Sequence, residues 1–279
     1  LGARPDGYHE MVMVMQSVSL CDEVTLHLGF PGGVRAESGL RFLPNDKSNL
    51  AVAAALAFRR TTGQTWKDLR ISLTKRIPVC AGTAGGSSDA AAVLRGLNTL
   101  TGAGLSPQEL AKIGEEVGSD VPYCVLGVTA LAQGRGETLS PLPPLPDCFL
   151  VLCKPRFSIS TPALFRTWDK AKRHLRPDTR GVIAALERGD LVALAQRMFN
   201  VFEAVLPPHQ HRDIEGIKTT LFQAGALGAA MSGSGPTVFG LFSQEAAARK
   251  AVTVLQEDYD EVYLTHPLPA HGASCQIPV

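Results

Sequence analysis

The sequence predicts an α+β fold arranged as two lobes. Strand-like and helix-like segments follow one another without the regular βαβ alternation of a parallel sheet. A proline-rich run, Pro141-Leu-Pro-Pro-Leu-Pro146, interrupts the chain near its middle. It is the boundary expected between lobes spanning residues 1–146 and 147–279, with a stiff surface loop inside one domain as the other reading. Two glycine-rich turns, one on each side of that run, adjoin segments of strand character. With 279 residues, 45% of them hydrophobic and 19% charged, the chain carries ample material for such cores.

Residues 11–28, MVMVMQSVSLCDEVTLHL, are rich in apolar and β-branched side chains with a polar break near Asp22. That pattern predicts two strands in a hairpin or meander. Ser48-Asn49 then heads a run of strong helix formers, Leu50–Phe58, with an N-cap in place. Leu69–Lys75 alternates apolar and polar residues, as a half-buried strand does. Next comes PVCAGTAGGSSDAAA, residues 78–92, and then a helix by composition over Ala90–Leu100, ending near Gly102. Ser106-Pro107-Gln108-Glu109 starts another helix, with Ser as cap, Pro at the first position and Glu at the third; it should run to about Gly118. Strands are expected at Thr129–Gln133 and Phe149–Cys153, and helices near 161–168, 179–187, 190–204 and 212–224. Leu227–Met231 and Thr237–Phe242 read as strands flanking the turn Ser232-Gly-Ser-Gly-Pro236. A helix at 244–256 and a strand at Glu261–Leu264 complete the pattern.

The totals exclude several classes. A formal net charge of +1 makes no case for nucleic acid or a membrane surface as partner. No stretch approaches the ~18 uninterrupted apolar residues of a transmembrane span. Cys21, Cys80, Cys124, Cys148, Cys153 and Cys275 form no C-x-x-C pair, so a disulfide frame or zinc site is not expected and a reducing cytoplasm is. Nothing in the composition chooses between monomer and homodimer. The chain opens Leu-Gly-Ala-Arg-Pro without methionine, which reads as a processed or incomplete N-terminus.

The loop at 78–92 has the order strand, glycine turn, helix, which aims free backbone N–H groups and a helix dipole at an anion. Gly82, Gly85 and Gly86 leave the backbone open to close approach. Ser87 and Ser88 add hydroxyls able to meet phosphate or a magnesium ion. Neither common template fits. No lysine follows Gly86 as in a Walker A loop, and the glycine spacing is not G-x-G-x-x-G. A tight strand–helix turn with a small-residue helix packed behind it remains the competing structural reading. Farther on, Gly118-Ser-Asp-Val-Pro-Tyr-Cys124 places Asp120 among apolar neighbours. A carboxylate there could orient or deprotonate a hydroxyl in phosphoryl transfer, or could simply cap a turn.

Three motifs in this order, PVCAGTAGGSSDAA, GSDVPYC and MSGSGPTVF, together resemble the GHMP kinase superfamily. Arg4-Pro-Asp-Gly-Tyr-His-Glu10, Gly134-Arg-Gly-Glu137 and the Ser160-Thr161-Pro162 region narrow the resemblance to its branch that phosphorylates a cytidine-diphosphate-linked polyol. The likeness runs from residue 1 to about 268. It implies a two-lobed fold, a ribosomal-S5-like α/β lobe followed by an α+β lobe, with the site in the cleft between them. It also implies ATP with Mg2+ and transfer to the 2-hydroxyl of 4-diphosphocytidyl-2-C-methyl-D-erythritol. By this resemblance the segment Pro78, Val79, Cys80, Ala81, Gly82, Thr83, Ala84, Gly85 and Gly86 wraps the ATP phosphates, with Ser87 and Ser88 at the helix start; no protein ligand to the metal is assigned, Ser87 being the candidate. Asn49, Leu50 and Lys75 line the adenine side. Asp120 is the catalytic carboxylate, Tyr8 and His9 hold the cytosine, Phe165 covers its other face, and Gly233, Ser234 and Gly235 close the site.

Two departures accompany the likeness. Thr83 stands where the superfamily usually has leucine, a position where only backbone has to meet phosphate. The P-A-K-x-N-L strand that supplies the family's lysine partner to the aspartate has no counterpart, so that lysine is expected upstream of Leu1. The rival readings are a kinase of mevalonate, homoserine or a sugar, and a nucleotide-binding protein inactive for want of that strand.

Overall fold

The computed structural model describes residues 2–3, 9–171 and 176–269. The first part of the chain forms β1 (Gly2–Ala3), β2 (His9–Met15), β3 (Glu23–Leu28), β4 (Val34–Ser38), α1 (Leu50–Thr62), β5 (Leu69–Thr74), α2 (Gly85–Thr101), α3 (Pro107–Glu115), α4 (Val121–Leu126), β6 (Ala130–Gly134) and β7 (Thr138–Pro141). The second part forms β8 (Phe149–Lys154), α5 (Thr161–Lys170), α6 (Thr179–Glu187), α7 (Leu191–Ala195), a 3-10 turn (Val201–Val205), α8 (Pro208–Gln223), β9 (Gly228–Met231), β10 (Val238–Phe242), α9 (Glu245–Leu255) and β11 (Glu261–Thr265).

Three sheets result, in the orders β1-β2-β6-β7, β3-β5-β4 and β11-β8-β10-β9. The proline-rich run lies between β7 of the first sheet and β8 of the last. The hairpin expected over residues 11–28 does not form: β2 pairs antiparallel with β6, and β3 with β5. The link between them is fastened elsewhere, which pulls the strands apart. The backbone N–H of Leu20 donates to the Thr265 hydroxyl, and the Asp22 carboxylate accepts from the N–H groups of Arg76 and Ile77.

Local chemistry accounts for most helix ends. Asn49 caps α1 by accepting from Ala51 N at 3.0 Å, and Ser106 and Glu109 form the reciprocal capping box at the head of α3. That helix stops at Glu115, a turn short of Gly118. The helix after the glycine loop starts at Gly85, earlier than its alanines suggest, because Ala84 takes a left-handed turn that leads straight into it. The single helix expected over 190–204 is instead α7 and the 3-10 turn. The chain breaks at Asn200, whose extended backbone and side chain serve other partners. Strand β7 was not expected. It pairs only with β6 and ends in proline, as an edge strand can.

One core lies behind the glycine loop, where Phe58 of α1, Ile71 of β5 and Leu94 and Leu97 of α2 are fully buried. A second packs Ile214, Ile217 and Leu221 of α8 against Phe242 of β10. A third gathers Leu150, Leu186, Leu194 and Leu241, and each such buried side chain contributes roughly 1.5–3 kcal/mol. Among the described residues no helix is long and apolar enough to cross a membrane.

Candidate active site

Residues Pro78 to Ala84 form the loop between β5 and α2, and Gly85, Gly86, Ser87 and Ser88 make the first turn of the helix. Cys80, Gly82 and Ala84 all have positive φ, at 53°, 73° and 53°. Three such residues wind the chain tightly into α2. No side chain caps that helix, so its first N–H groups stay available to a ligand. Ser87 is buried, and Thr83 turns its hydroxyl back to Pro78 O at 3.3 Å.

The heads of α1 and α2 lie side by side. A Cβ on Gly86 would sit 3.5 Å from Leu50 Cδ1, and one on Gly85 3.6 Å from Lys75 Nζ. Leu50 and Lys75 thus flank the loop, while Asn49 is committed to its cap. A cleft of about 300 Å³ opens beside Asn49, walled in part by Ala36, Leu40, Leu43 and Leu73. A larger cavity of about 440 Å³, lined by Arg156, Phe157, His209 and Asp213, contains none of the predicted site residues.

Lys75 is buried between two carboxylates, with its ammonium bonded to Asp22 and, at 2.6 Å, to Asp89. Asp22 belongs to the link before β3 and Asp89 to α2, so one cation joins three segments under the loop. Burial, opposed by Lys75 and reinforced by Asp22, pushes the Asp89 carboxyl up to about 7. Its Oδ1 is buried without a hydrogen-bond partner.

The second glycine turn docks on the first. The Ser232 hydroxyl donates to Gly82 O at 2.9 Å and Thr237 N donates to Ala81 O at 3.2 Å. A Cβ on Gly82 would overlap Ser232 O and approach Gly235 N to 2.7 Å, so only glycine allows this contact. Gly233, Ser234 and Gly235 are therefore brought beside the first glycine loop. Ser234 also shares a 2.8 Å hydrogen bond with Thr161, the first residue of α5.

Asp120 stands immediately before α4 without capping it. Its Oδ1 lies 3.6 Å from where a Cβ on Gly136 would be, a position equally close to Met13. Burial raises its pKa above the ordinary carboxylate range. Among the described residues its carboxyl has no hydrogen-bond or ion-pair partner. It and Asp89 both help raise the pKa of the buried Cys124 thiol, after burial itself, which places the two carboxylates in one electrostatic neighbourhood.

His9 and Phe165, far apart in sequence, are stacked at 4.4 Å with an interplanar angle of 24°. His9 Nε2 is 2.7 Å from Asp169 Oδ1, one helical turn beyond Phe165 on α5. Phe165 in turn meets Phe202 edge-on at 5.0 Å. Tyr8 lies outside the described residues, as does the segment Arg4–Gly7.

An uncapped helix start, a second glycine turn keyed onto it and a desolvated aspartate ahead of α4 make up the architecture of a small-molecule kinase of the GHMP class. The family descriptions agree: the GHMP kinases N terminal domain matches residues 49–128 and the GHMP kinases C terminal matches residues 182–261. The chain is 43% identical over 271 residues to a 4-diphosphocytidyl-2-C-methyl-D-erythritol kinase of Moorella thermoacetica, spanning 96% of this chain and 94% of that protein. The corresponding protein of Alkaliphilus metalliredigens is 42% identical over 264 residues, 95% and 90% of the two chains. A crystal structure of 4-(cytidine 5'-diphospho)-2C-methyl-D-erythritol kinase matches with a TM-score of 0.78 and 30% identity, covering 97% of this chain and 93% of that one. The chain belongs to the 4-diphosphocytidyl-2-C-methyl-D-erythritol kinase family of GHMP kinases.

Sequence reasoning did not single out Asp22, Asp89, Asp169 or Asn200 as parts of the site. Asp89 carried a usable signal, an acidic residue inside an alanine-rich helix with nothing local to pair with. Asp22 showed only as a polar break between strands. Asp169 and Asn200 matter through partners more than a hundred and about thirty residues away, and no local pattern marks them.

Proposed function

We propose that this enzyme phosphorylates the 2-hydroxyl of 4-diphosphocytidyl-2-C-methyl-D-erythritol with ATP, and that it does so at the junction of the two glycine turns. The observation that carries this reading is the uncapped start of α2 held open against Ser232–Gly235. The backbone of Gly82–Gly86 would receive the phosphates, with Ser88 beside it, while Leu50 and the stem of Lys75 border the adenine. Asp120, raised by burial and free of described partners, would accept or orient the proton of the attacking hydroxyl. No described lysine is assigned as its partner.

Rings 4.4 Å apart leave no room for a base between them. Cytosine would take the place of the imidazole on Phe165 while His9 turns to read its edge, with Tyr8 on the opposite face. Magnesium fits on one observation: Ser87 is buried at the helix start and its hydroxyl bonds to no described residue, a hard oxygen of the kind this ion takes. Ser87 would hold it, and the bound ion would offset charge on the phosphates. A cytoplasmic location is proposed on the five described cysteines, all free.

The test is ADP formation with three acceptors offered separately: 4-diphosphocytidyl-2-C-methyl-D-erythritol, mevalonate and homoserine. The reading expects turnover with the first alone, giving its 2-phosphate. Turnover confined to either of the others would overturn it.

A further inference from the structure

The proposed kinase must hold its two substrates in one fixed relation, and no assigned residue explains how the cytosine side of the site is aligned with the phosphate side. The 3-10 turn Val201–Val205 and its capping residue supply the connection. Asn200 spends its side-chain amide entirely on backbone. Its Nδ2 donates to Met231 O and to Gly233 O, both at 2.7 Å, and its Oδ1 accepts from Phe202 N at 2.9 Å. The two carbonyls lie on either side of Ser232, the residue whose hydroxyl reaches Gly82. Three residues on, Glu203 accepts from Met231 N at 2.7 Å and is itself held by Lys218 at 2.7 Å. Between them sits Phe202, buried, with its ring edge against both Phe165 and Trp168 of α5.

One short segment therefore holds the second glycine turn with Asn200 and Glu203 and carries the platform of the base-binding rings with Phe202. A second tie runs parallel to it, since Ser234 of the turn bonds Thr161 at the head of the same helix α5. The path is continuous from Gly82 through Ser232 and Asn200 to Phe202, Phe165 and His9. Both amide hydrogens of Asn200 are used internally and point at carbonyl oxygens, so its effect on a ligand passes through the turn. Aspartate at this position would have the same shape but would set oxygen against two carbonyls.

We propose that Asn200 is a positioning residue of the phosphoryl transfer: it fixes the second glycine turn relative to the Phe165–His9 rings, so that a substrate held by its base presents its hydroxyl to the nucleotide. Each site would still bind its own ligand without this alignment, but reacting atoms displaced by ~1 Å can cost a hundredfold in rate. The inference rests on the kinase reading above.

The test compares wild type, Asn200→Asp and Glu203→Gln, the last keeping an acceptor for Met231 N. Turnover is measured with ATP and 4-diphosphocytidyl-2-C-methyl-D-erythritol. Binding of ATP and of cytidine 5'-diphosphate is measured separately by calorimetry, and folding by thermal melting. For Asn200→Asp the expectation is a kcat lowered about a hundredfold, both dissociation constants within about threefold and a folded protein at the assay temperature. Glu203→Gln should keep kcat within about threefold. If Asn200→Asp does not fold, Asn200→Ala, which sets nothing against the two carbonyls, carries the test with an expected loss of about tenfold. A folded Asn200 variant with wild-type kcat overturns the inference and leaves the kinase reading standing. A variant whose rate loss is matched by its loss of folded protein or of ligand binding also overturns it. No turnover by wild type refutes the kinase reading, and this inference with it.

Discussion

Two glycine-rich turns of similar composition meet at this site, and they are held in opposite ways. The first, Pro78–Ala84, rests on buried charge, with Lys75 between Asp22 and Asp89 beneath the start of α2. The second, Ser232–Pro236, is held mainly by hydrogen bonds: Asn200 to Met231 O and Gly233 O, Ser234 to Thr161, Ser232 to Gly82 O. The difference follows from what each must leave free. A turn proposed to receive phosphate would have to keep its N–H groups unspent, and its support comes from side chains of neighbouring segments, Lys75, Asp22 and Asp89. The second turn, whose carbonyls accept from Asn200, spends part of its backbone on its own scaffold. The charged support is intolerant of losing a member, because a lone buried charge is left uncompensated. The hydrogen-bonded support is divisible, each bond contributing about 0.5–1.5 kcal/mol.

The largest effect should come from the Asp120 carboxylate ahead of α4. Asp120→Asn should lower kcat by about 10²–10⁴-fold, the usual range for an acid–base group, with ATP affinity nearly unchanged by calorimetry. Burial raises this carboxyl, so the active ionised form is lost as pH falls through a value above the ordinary ~3.9, and the acid limb of kcat/KM should lie higher than that. For stability the sign is opposite. A raised carboxyl favours the folded state at low pH and loses that contribution as pH rises through the folded pKa. Asp120→Asn should therefore be no less stable than wild type at neutral pH, and a large drop in melting temperature would sink that assignment.

Next in size is the charged support. Lys75→Met leaves two buried carboxylates without their cation and should cost about 3–5 kcal/mol in urea unfolding. Adding Asp89→Asn removes one of them and should recover part of the loss. Equal stability of the single and double variants would show that the triad is not the support described here. Gly82→Ala adds a Cβ at positive φ against Ser232 O, a strain of about 1–3 kcal/mol. It should raise the KM for ATP more than that for the cytidine substrate if, as proposed, the displaced backbone receives the ATP phosphates. The smallest effect is expected from Ser234→Ala, which removes one of several ties on the second turn and should cost no more than about 1 kcal/mol. A loss as large as that of Lys75→Met would erase the distinction between the two turns.

Much of this was legible along the chain. Asn49 and Ser106 announced their helices because a cap and the N–H groups it serves lie within three residues. Leu69–Thr74 announced a half-buried strand by its alternation, and the three glycine-bearing motifs marked the loops through their resemblance to a known kinase family. The hairpin at residues 11–28 failed for the complementary reason. Which partner a strand takes depends on segments such as Leu69–Thr74 and Ala130–Gly134 that only folding brings near. The helix over 190–204 failed because Asn200 finds better partners in Met231 and Gly233 than in its own neighbours.

By itself, then, the order of residues determined most helix starts, the position of both glycine turns and the family to which the chain belongs, since each depends on neighbours within a turn or two or on motifs readable in line. Tertiary structure alone decided that Lys75 lies between Asp22 and Asp89, that Gly82 touches Ser232, and that His9 stacks on Phe165. Those contacts bridge from fourteen to more than a hundred and fifty residues. Hydrogen bonds and ring contacts act over only a few ångströms, so such pairs acquire their meaning when the cores pack and bring them together.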